Sequence, residues 1–201
     1  MARHIDEHFE AADFSGREFA EHEFLRCTFD RCTFHFAAME EMSTARCRFT
    51  QCSFQGAAMN GSVHTGTAFE NCSFAESNLF ASVFTDCKMV GSDFFKAKLD
   101  GITIANGDWS YTHLRQARLD KQHLRGVRFY EADLTDAHLE KSDLRDCDLT
   151  RAQLKHARLQ GADLRGAVMD GVDFTSVSVK GARMDAEQAV LFVRSHGARV
   201  D

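Results

Sequence analysis

Large apolar residues recur every five positions along almost the whole chain. Residues 9, 14, 19, 24, 29 and 34 are all Phe, and the same register runs unbroken to Met184. Of its 36 positions, 14 are Phe, 12 are Leu and five are Met, with Ile104, Trp109 and Val179 completing the apolar set. Only Thr44 and His64 depart from it. Two residues before each centre, 30 of the 36 positions hold Ala, Cys, Ser, Thr, Val or Gly. The exceptions are Glu7, Arg17, His22, Met42, Ile102 and Gln122. The consensus is small, polar, large apolar, polar, polar, as in Ala132-Asp133-Leu134-Thr135-Asp136.

A period of five suits neither the helical turn nor the two-residue alternation of a strand. Around an α-helix it would spiral the apolar stripe. An all-β solenoid with one short side per repeat resolves this, each side turning its large residue inward. Four sides close a coil of 20 residues, so the 36 repeats predict about nine coils over residues 9–184. Coils stacked by parallel pairing at ~4.8 Å would make a rod roughly 43 Å long. Residues 1–8 are expected to be an N-terminal cap or flexible start.

The rule stops after Met184. Asp185-Ala-Glu-Gln188 reads as an N-cap with a capping-box glutamine. The spacing predicts a helix from 186 to 196, ended at Gly197, within a capping segment 185–201. Ala186, Ala189, Val190 and Val193 share the face expected to cover the last coil. Leu191 and Phe192 are expected to point away, toward a second subunit. Met184, Ala189, Val190, Leu191, Phe192 and Val193 are therefore the candidate dimer interface, joining two chains end to end.

Composition adds one strong constraint. The chain of 201 residues has no proline, as expected where nearly every backbone N–H pairs in a ladder. Short apolar runs argue against a membrane span. The start, with His, Asp and Glu and no apolar core, argues against a signal peptide. All seven cysteines, Cys27, Cys32, Cys47, Cys52, Cys72, Cys87 and Cys147, occupy the small inward position. Their five-residue spacing does not match metal pairs, so they read as free, buried thiols in a cytoplasmic protein. Thr44 and His64 fall on one side of successive coils. They mark repeat decay, a bulge, a hydrated defect or a functional departure, and Gly61 to Gly66 suggests a loosened side. Trp109 is in the inward register, whereas Tyr111 faces out. His113, His123 and His138 lie on different sides. No catalytic or nucleotide-binding motif is present, and no enzyme activity, metal or cofactor is expected.

Charge is uneven. The net charge is −6, and residues 1–45 hold ten acids against four Lys and Arg, whereas residues 101–201 hold fifteen of each. Asp100, Asp120 and Glu140 share one outward column, with Glu40 in the same column nearer the start. Glu21 and Glu41 add to that side, and Glu18 and Glu23 flank it. These eight residues are the candidate acidic partner-binding surface. Arg125, Arg145 and Arg165 form a basic column on the next side, partly offset by Asp143 and Asp163.

The repeats, Ala162-Asp163-Leu164-Arg165-Gly166 among them, resemble the pentapeptide-repeat family. Thr67 to Phe74, Cys87 to Ser92, Ala182 to Val190 and His196 to Val200 are more narrowly similar to the MfpA-like quinolone-resistance proteins of that family. The resemblance implies a right-handed quadrilateral β-helix and a homodimer joined at its C-terminal end. It also implies a DNA mimic that binds DNA gyrase, with topoisomerase IV as a second target, and that lowers sensitivity to fluoroquinolone-like poisons. Net acidity argues against direct binding of nucleic acid, and the short apolar runs against a membrane. The unbroken register leaves out the projecting loops of the plasmid-type relatives and favours MfpA-like behaviour. The alternatives are a pentapeptide-repeat scaffold unrelated to gyrase and an immunity protein against a gyrase-targeting toxin.

Overall fold

In the computed structural model, which describes residues 2–200, each repeat becomes one side of a coil. Two compact units result, Met1–Asp108 and Trp109–Asp201. In the first, ten three-residue strands are β1 (Arg3–Ile5), β2 (His8–Glu10), β3 (Glu23–Leu25), β4 (Thr28–Asp30), β5 (Ser43–Ala45), β6 (Arg48–Thr50), β7 (Val63–Thr65), β8 (Ala68–Glu70), β9 (Val83–Thr85) and β10 (Thr103–Ala105). Strands β1, β3, β5, β7, β9 and β10 form one parallel ladder, and β2, β4, β6 and β8 another. Every partner lies 20 residues away, as in Arg3↔Glu23 and Phe29↔Phe49. The other two sides are held by single bridges, Asp13↔Thr33↔Ser53 and Glu18↔Ala38↔Ala58 among them.

The second unit keeps four columns at the same 20-residue step, through His113↔Asp133, Arg118↔His138, His123↔Asp143 and Arg128↔Asp148 and their successors. The expected β-solenoid is thus observed. Its strand ladder comprises about five turns, fewer than the nine coils expected, because beyond Ala105 the sides pair through single bridges. The coil also begins earlier than expected. Strand β1 lies inside the segment taken for a cap, and His4 continues the inward register with its ring stacked 4.5 Å from Phe24.

Corners explain the fifth-position tolerance. At many of them the large residue's carbonyl accepts the N–H three residues on, as from Ala37 to Phe34 at 3.2 Å, with the third residue, here Phe36, at φ 55°. That is a type II turn, which asks for a positive φ at its third position. After strands such as β3 and β4 this turn bond is missing, and the small-position side chains substitute for it. The Cys47 thiol donates to the Phe24 carbonyl at 3.3 Å, Cys52 to Phe29 at 3.4 Å and Cys72 to Phe49 at 3.4 Å. Ser92 does the same for Phe69 at 2.8 Å. The seven cysteines are free and buried, and burial pushes Cys47 and Cys87 up to about 11 and Cys147 up to about 12. The expected small packing is right, and the sulfur adds a hydrogen bond that sequence spacing did not reveal.

The large residues form ladders inside each unit. Phe29, Phe49 and Phe69 stack at 4.5 and 4.8 Å, and Phe34, Phe54 and Phe74 at 4.9 Å each. Rings of the two columns meet edge to face, as Phe49 and Phe54 do at 5.5 Å. The rung spacing imposes the stacking, and the favourable edge contacts link the columns. Trp109 is fully buried, as its register predicts.

Thr44 and His64 do not loosen the side. Strand β7 keeps its register with β5 and β9, and both residues are buried. Thr44 Oγ1 bonds His64 Nδ1 at 2.8 Å, and His64 Nε2 bonds Ser62 Oγ at 3.0 Å. Thr44 also reaches Thr67 at 3.0 Å, while Ser62 donates to Ser82 at 3.2 Å. The imidazole stacks on Phe84 at 4.7 Å. A satisfied polar network therefore replaces two apolar rungs, and burial lowers the His64 pKa to about 3.

The tail forms helix α1 (Ala186–Ser195), with the predicted Asp185–Gln188 capping box. Ala198 N–H to Val193 O at 3.0 Å and Gly197 N–H to Arg194 O at 2.9 Å end it as a Schellman motif, with Gly197 at φ 85°. The expected faces are reversed. Gln188 is the buried residue, its Nε2 bonded to the Ala167 carbonyl at 2.9 Å. Phe192 packs edge-on against Phe174 at 5.7 Å, and Ser195 reaches the Val172 carbonyl at 3.5 Å. Ala186, Ala189 and Val193 are exposed. The unpaired carbonyl at the end of the coil selects the polar Gln188, and that choice turns Leu191 and Phe192 inward.

Candidate partner-binding surface

Backbone register brings five of the eight proposed acidic residues together. Glu18 bridges Ala38, Glu23 pairs with Ser43, and Glu21 N–H donates to the Glu40 carbonyl at 2.9 Å. Glu41 N–H donates in turn to Asn60 at 3.0 Å. Glu18, Glu21, Glu23, Glu40 and Glu41 thus line one corner of successive coils in the first unit. Glu21 and Glu41 take the left-handed corner positions, at φ 58° and 54°, which turn their side chains outward. Glu41 lies across Gly61, where an added Cβ would come 3.3 Å from its Cγ.

Most of this corner is without an ion pair among the described residues. Glu23 has Arg3 at 3.6 Å, but among the described residues Glu18, Glu21, Glu40 and Glu41 form no ion pair. Elsewhere in the unit several acids are paired, as Asp6 is by Arg26 at 2.6 Å and Glu70 by Arg48 at 3.2 Å. Arg26 beside it lowers the Asp6 pKa. The first unit holds 16 acids and 9 Lys and Arg, a balance of −7, and the second holds 14 and 15.

The remaining three candidates differ. Asp100 is exposed in the first unit, on the coil whose carbonyl receives Ala81 N–H at 3.1 Å. Asp120 and Glu140 belong to the second unit, and Glu140 has Arg158 at 3.8 Å. The expected basic column is neutralised. Arg145 and Arg165 fold back onto Asp143 and Asp163 at 2.6 Å, and Arg125 reaches Asp146 at 2.8 Å. The Arg165 hydrogen bond holds Asp163 down at about 2. Such two-residue pairs follow from an Asp whose carboxylate also accepts the N–H two residues on, as at Thr135 and Thr150.

Sequence reading passed over three exposed rings in the first unit, Phe36, Phe80 and Phe95. The signal was available, since all three lie outside the five-residue register. Phe36 rests over Gly56, where a Cβ would meet its ring at 2.5 Å, and Lys96 sits 5.0 Å from the Phe95 ring. Among the described residues no His, Cys, Asp and Glu cluster is arranged to hold a metal, and no helix is long and apolar enough to cross a membrane.

Two family models match, a pentapeptide repeat region over residues 77–154 and pentapeptide repeats in eight copies over 147–185. Together they span more than half of the chain. The protein belongs to the pentapeptide-repeat family. Neither model denotes an enzyme. No curated protein sequence matches. Among solved structures, full-length QnrB1, a plasmid-mediated fluoroquinolone resistance protein, is similar at TM-score 0.86 with 20% identity, over 98% of this chain and 100% of that one. A trypsin-treated QnrB1 is similar over the whole of both chains at TM-score 0.86 and 21% identity. HetL, a pentapeptide-repeat protein involved in heterocyst differentiation regulation in the cyanobacterium Nostoc sp. strain PCC 7120, is similar at TM-score 0.58 and 18% identity, over 91% and 89%. At these identities the likeness is one of fold.

Proposed function

We propose that this pentapeptide-repeat protein is a non-catalytic DNA mimic that binds DNA gyrase where DNA would lie and lowers sensitivity to fluoroquinolone-like poisons. The observation that carries the reading is the unmatched acidic corner of Glu18, Glu21, Glu40 and Glu41, in a unit of charge −7. A surface built to bind DNA is basic, and an acidic solenoid side presents that surface with charge at rung spacing. The fold shared with QnrB1 supports the choice of gyrase over other basic partners. Topoisomerase IV is the second target, and the setting is cytoplasmic.

The chain acts as a homodimer joined at its C-terminal end. The outward face of α1 offers exposed Ala186, Ala189 and Val193 and half-buried Val190 for this contact, in place of Leu191 and Phe192. The fold shared with HetL supports a second reading, a regulatory scaffold that does not touch gyrase.

Titration of the purified protein into gyrase supercoiling and drug-stabilised cleavage reactions separates the two readings. Inhibition of supercoiling, or loss of cleaved complex, is the expected result. A folded variant with Glu21, Glu40 and Glu41 changed to Lys should lose most of the effect and of its salt dependence. No effect of the native protein at any salt concentration would favour the scaffold, and an unchanged effect of the variant would reject this corner.

A further inference from the structure

One side of the first unit carries a neutral floor between acids. Its outer columns are Ala38, Ala58 and Asn78, joined by bridges, and Glu40, Asn60 and Phe80. The carbonyls of the second column accept the Glu21, Glu41 and Gly61 N–H at 2.9, 3.0 and 2.9 Å. Phe36 takes the corner that leads into this side, at φ 55°. Asn78 Nδ2 donates to Asn60 Oδ1 at 3.2 Å, and Asn78 Oδ1 accepts the Phe80 N–H at 3.2 Å, so the two amides engage one another and the chain beside them. The backbone is closed as well. Met39, Met59 and Leu79 N–H donate to the Ala58, Asn78 and Lys98 carbonyls at 2.7, 2.8 and 2.9 Å. A partner can therefore meet side chains here but cannot add a strand.

Two rings stand at the borders of that floor. Phe36 is 71% and Phe80 56% exposed. A single exposed apolar residue is ordinary, but each of these rings has a seat. Phe36 lies against Gly56, the next residue of its corner column, where an added Cβ would come 2.5 Å from its Cε1. Phe80 Cε2 lies 3.9 Å from the equivalent point at Gly101. Glycine thus lets each ring lie against the coil, which reduces the ordering cost of a contact. Between the rings Ala38, Ala58 and Asn60 are short and half-buried. The rings are two coils apart, about 10 Å along the stack at the usual strand spacing. Glu18, Glu40 and Glu41 border the floor toward the start of the chain, and beyond it Lys98 follows Asn78 and Asp100 follows Phe80.

We propose that Phe36 and Phe80 form the apolar anchor of the partner-binding surface, seated on a basic protein surface of gyrase that presents apolar side chains between its cations. The inference rests on the gyrase reading and adds the chemistry of the contact. The bordering glutamates select a basic partner. Exposed aromatic rings over a floor of short side chains supply the central, desolvated part of such a contact. A phenyl ring has no counterpart on a phosphate backbone, so the anchor gives this chain a contact that a purely electrostatic mimic lacks. Charge attraction is screened by salt, whereas burial of apolar surface is not. Removing the rings should therefore weaken binding without changing its salt dependence, and removing the acids should flatten that dependence.

The test measures binding of the full chain to purified gyrase from about 0.1 to about 0.5 M salt, a range over which exposed charges lose most of their attraction. Phe36→Ser with Phe80→Ser should weaken binding about tenfold or more at every salt concentration, with the native slope of affinity against salt. Glu21→Gln with Glu41→Gln should weaken it at low salt only. Phe95→Ser, on the neighbouring side beside Lys96, should bind as the native chain does. Failure of the native chain to bind at any salt concentration refutes the gyrase reading and this inference with it. Where the native chain binds, an unchanged Phe36 and Phe80 double variant, a double variant of altered slope, or an equal loss from Phe95→Ser overturns the anchor and leaves the gyrase reading standing. Should the double variant not fold, the two single variants are judged by the same slope.

Discussion

Acid should weaken this fold through His64. Its imidazole is fully enclosed between Thr44, Ser62, Phe69 and Phe84, and it has no carboxylate partner in the hydrogen-bond network. Cys87, whose thiol donates to the His64 carbonyl at 3.4 Å, stays neutral because its pKa is raised to about 11. Burial lowers the His64 pKa from 6.5 to about 3. The unfolded chain therefore takes up a proton as pH falls below about 6.5, while the folded chain does not. The stability is complete above the unfolded value, is lost as pH drops from it, and the loss levels off below the folded value. Each pH unit in that window costs about 1.4 kcal/mol, so moving from about pH 7 to about pH 4.5 costs about 2–3 kcal/mol from this residue alone.

Carboxylates such as Asp143 and Asp163, lowered by their arginines, lose stability in acid as well. Comparison with His64→Leu removes them, because they titrate alike in both proteins and lie away from the site. In the variant Thr44 keeps Thr67 and Ser62 keeps Ser82. Urea unfolding of both proteins across the pH range should show the variant gaining on the native chain by about 2–3 kcal/mol at about pH 4.5. A difference that stays constant with pH, or a native imidazole that titrates near its ordinary value by NMR, refutes the burial account.

Two further outcomes test packing and assembly. Gly107 has φ 98°, and an added Cβ would sit 2.3 Å from the Cys87 carbonyl oxygen, so Gly107→Ala should cost about 1–3 kcal/mol by urea unfolding. An unchanged midpoint would refute the steric reading. Val193 lies on the exposed face of α1, 38% accessible, so Val193→Asp should halve the mass measured by sedimentation from that of a pair of 22.6 kDa chains. A dimer that survives this change does not use that face.

The five-residue register disclosed the architecture because one repeat is one side, and side-chain direction follows directly from position. Cys32, Cys52 and Trp109 were assignable on that basis alone. Hydrogen bonds that join residues 23 apart were not, since Cys47 and Phe24 meet only once the coil length and corner type are known. His64 and Thr44 stood out as departures, but their bond was not legible, because Ser62 and Thr67, which complete the network, each read as ordinary small residues. The reversal of α1 has a different source. Apolar periodicity favoured Ala186, Ala189 and Val193 as the inner face, but an open carbonyl at Ala167 needed a donor, and Gln188 supplied it. Arg145 and Arg165 were expected to be partly offset by Asp143 and Asp163, and those pairs form at 2.6 Å. A column of like charge in sequence is cancelled in space when each arginine folds onto an aspartate two residues back.

The same contrast makes the acidic corner informative. In the second unit many carboxylates, Glu131, Asp143, Asp146 and Asp163 among them, have an arginine within reach, yet exposed pairs of this kind contribute about 0–1 kcal/mol each. Pairing there is easily arranged and adds little stability. At Glu21 and Glu41, one coil apart, no such pairing exists, and like charges roughly 5 Å apart repel by about 1 kcal/mol even in water. Stability would favour neutral side chains at both positions. Glu21→Gln with Glu41→Gln should therefore raise the urea midpoint slightly while weakening gyrase inhibition, and salt should narrow the stability difference. A variant that is both less stable and fully inhibitory would mean that the two glutamates serve the fold instead of a partner.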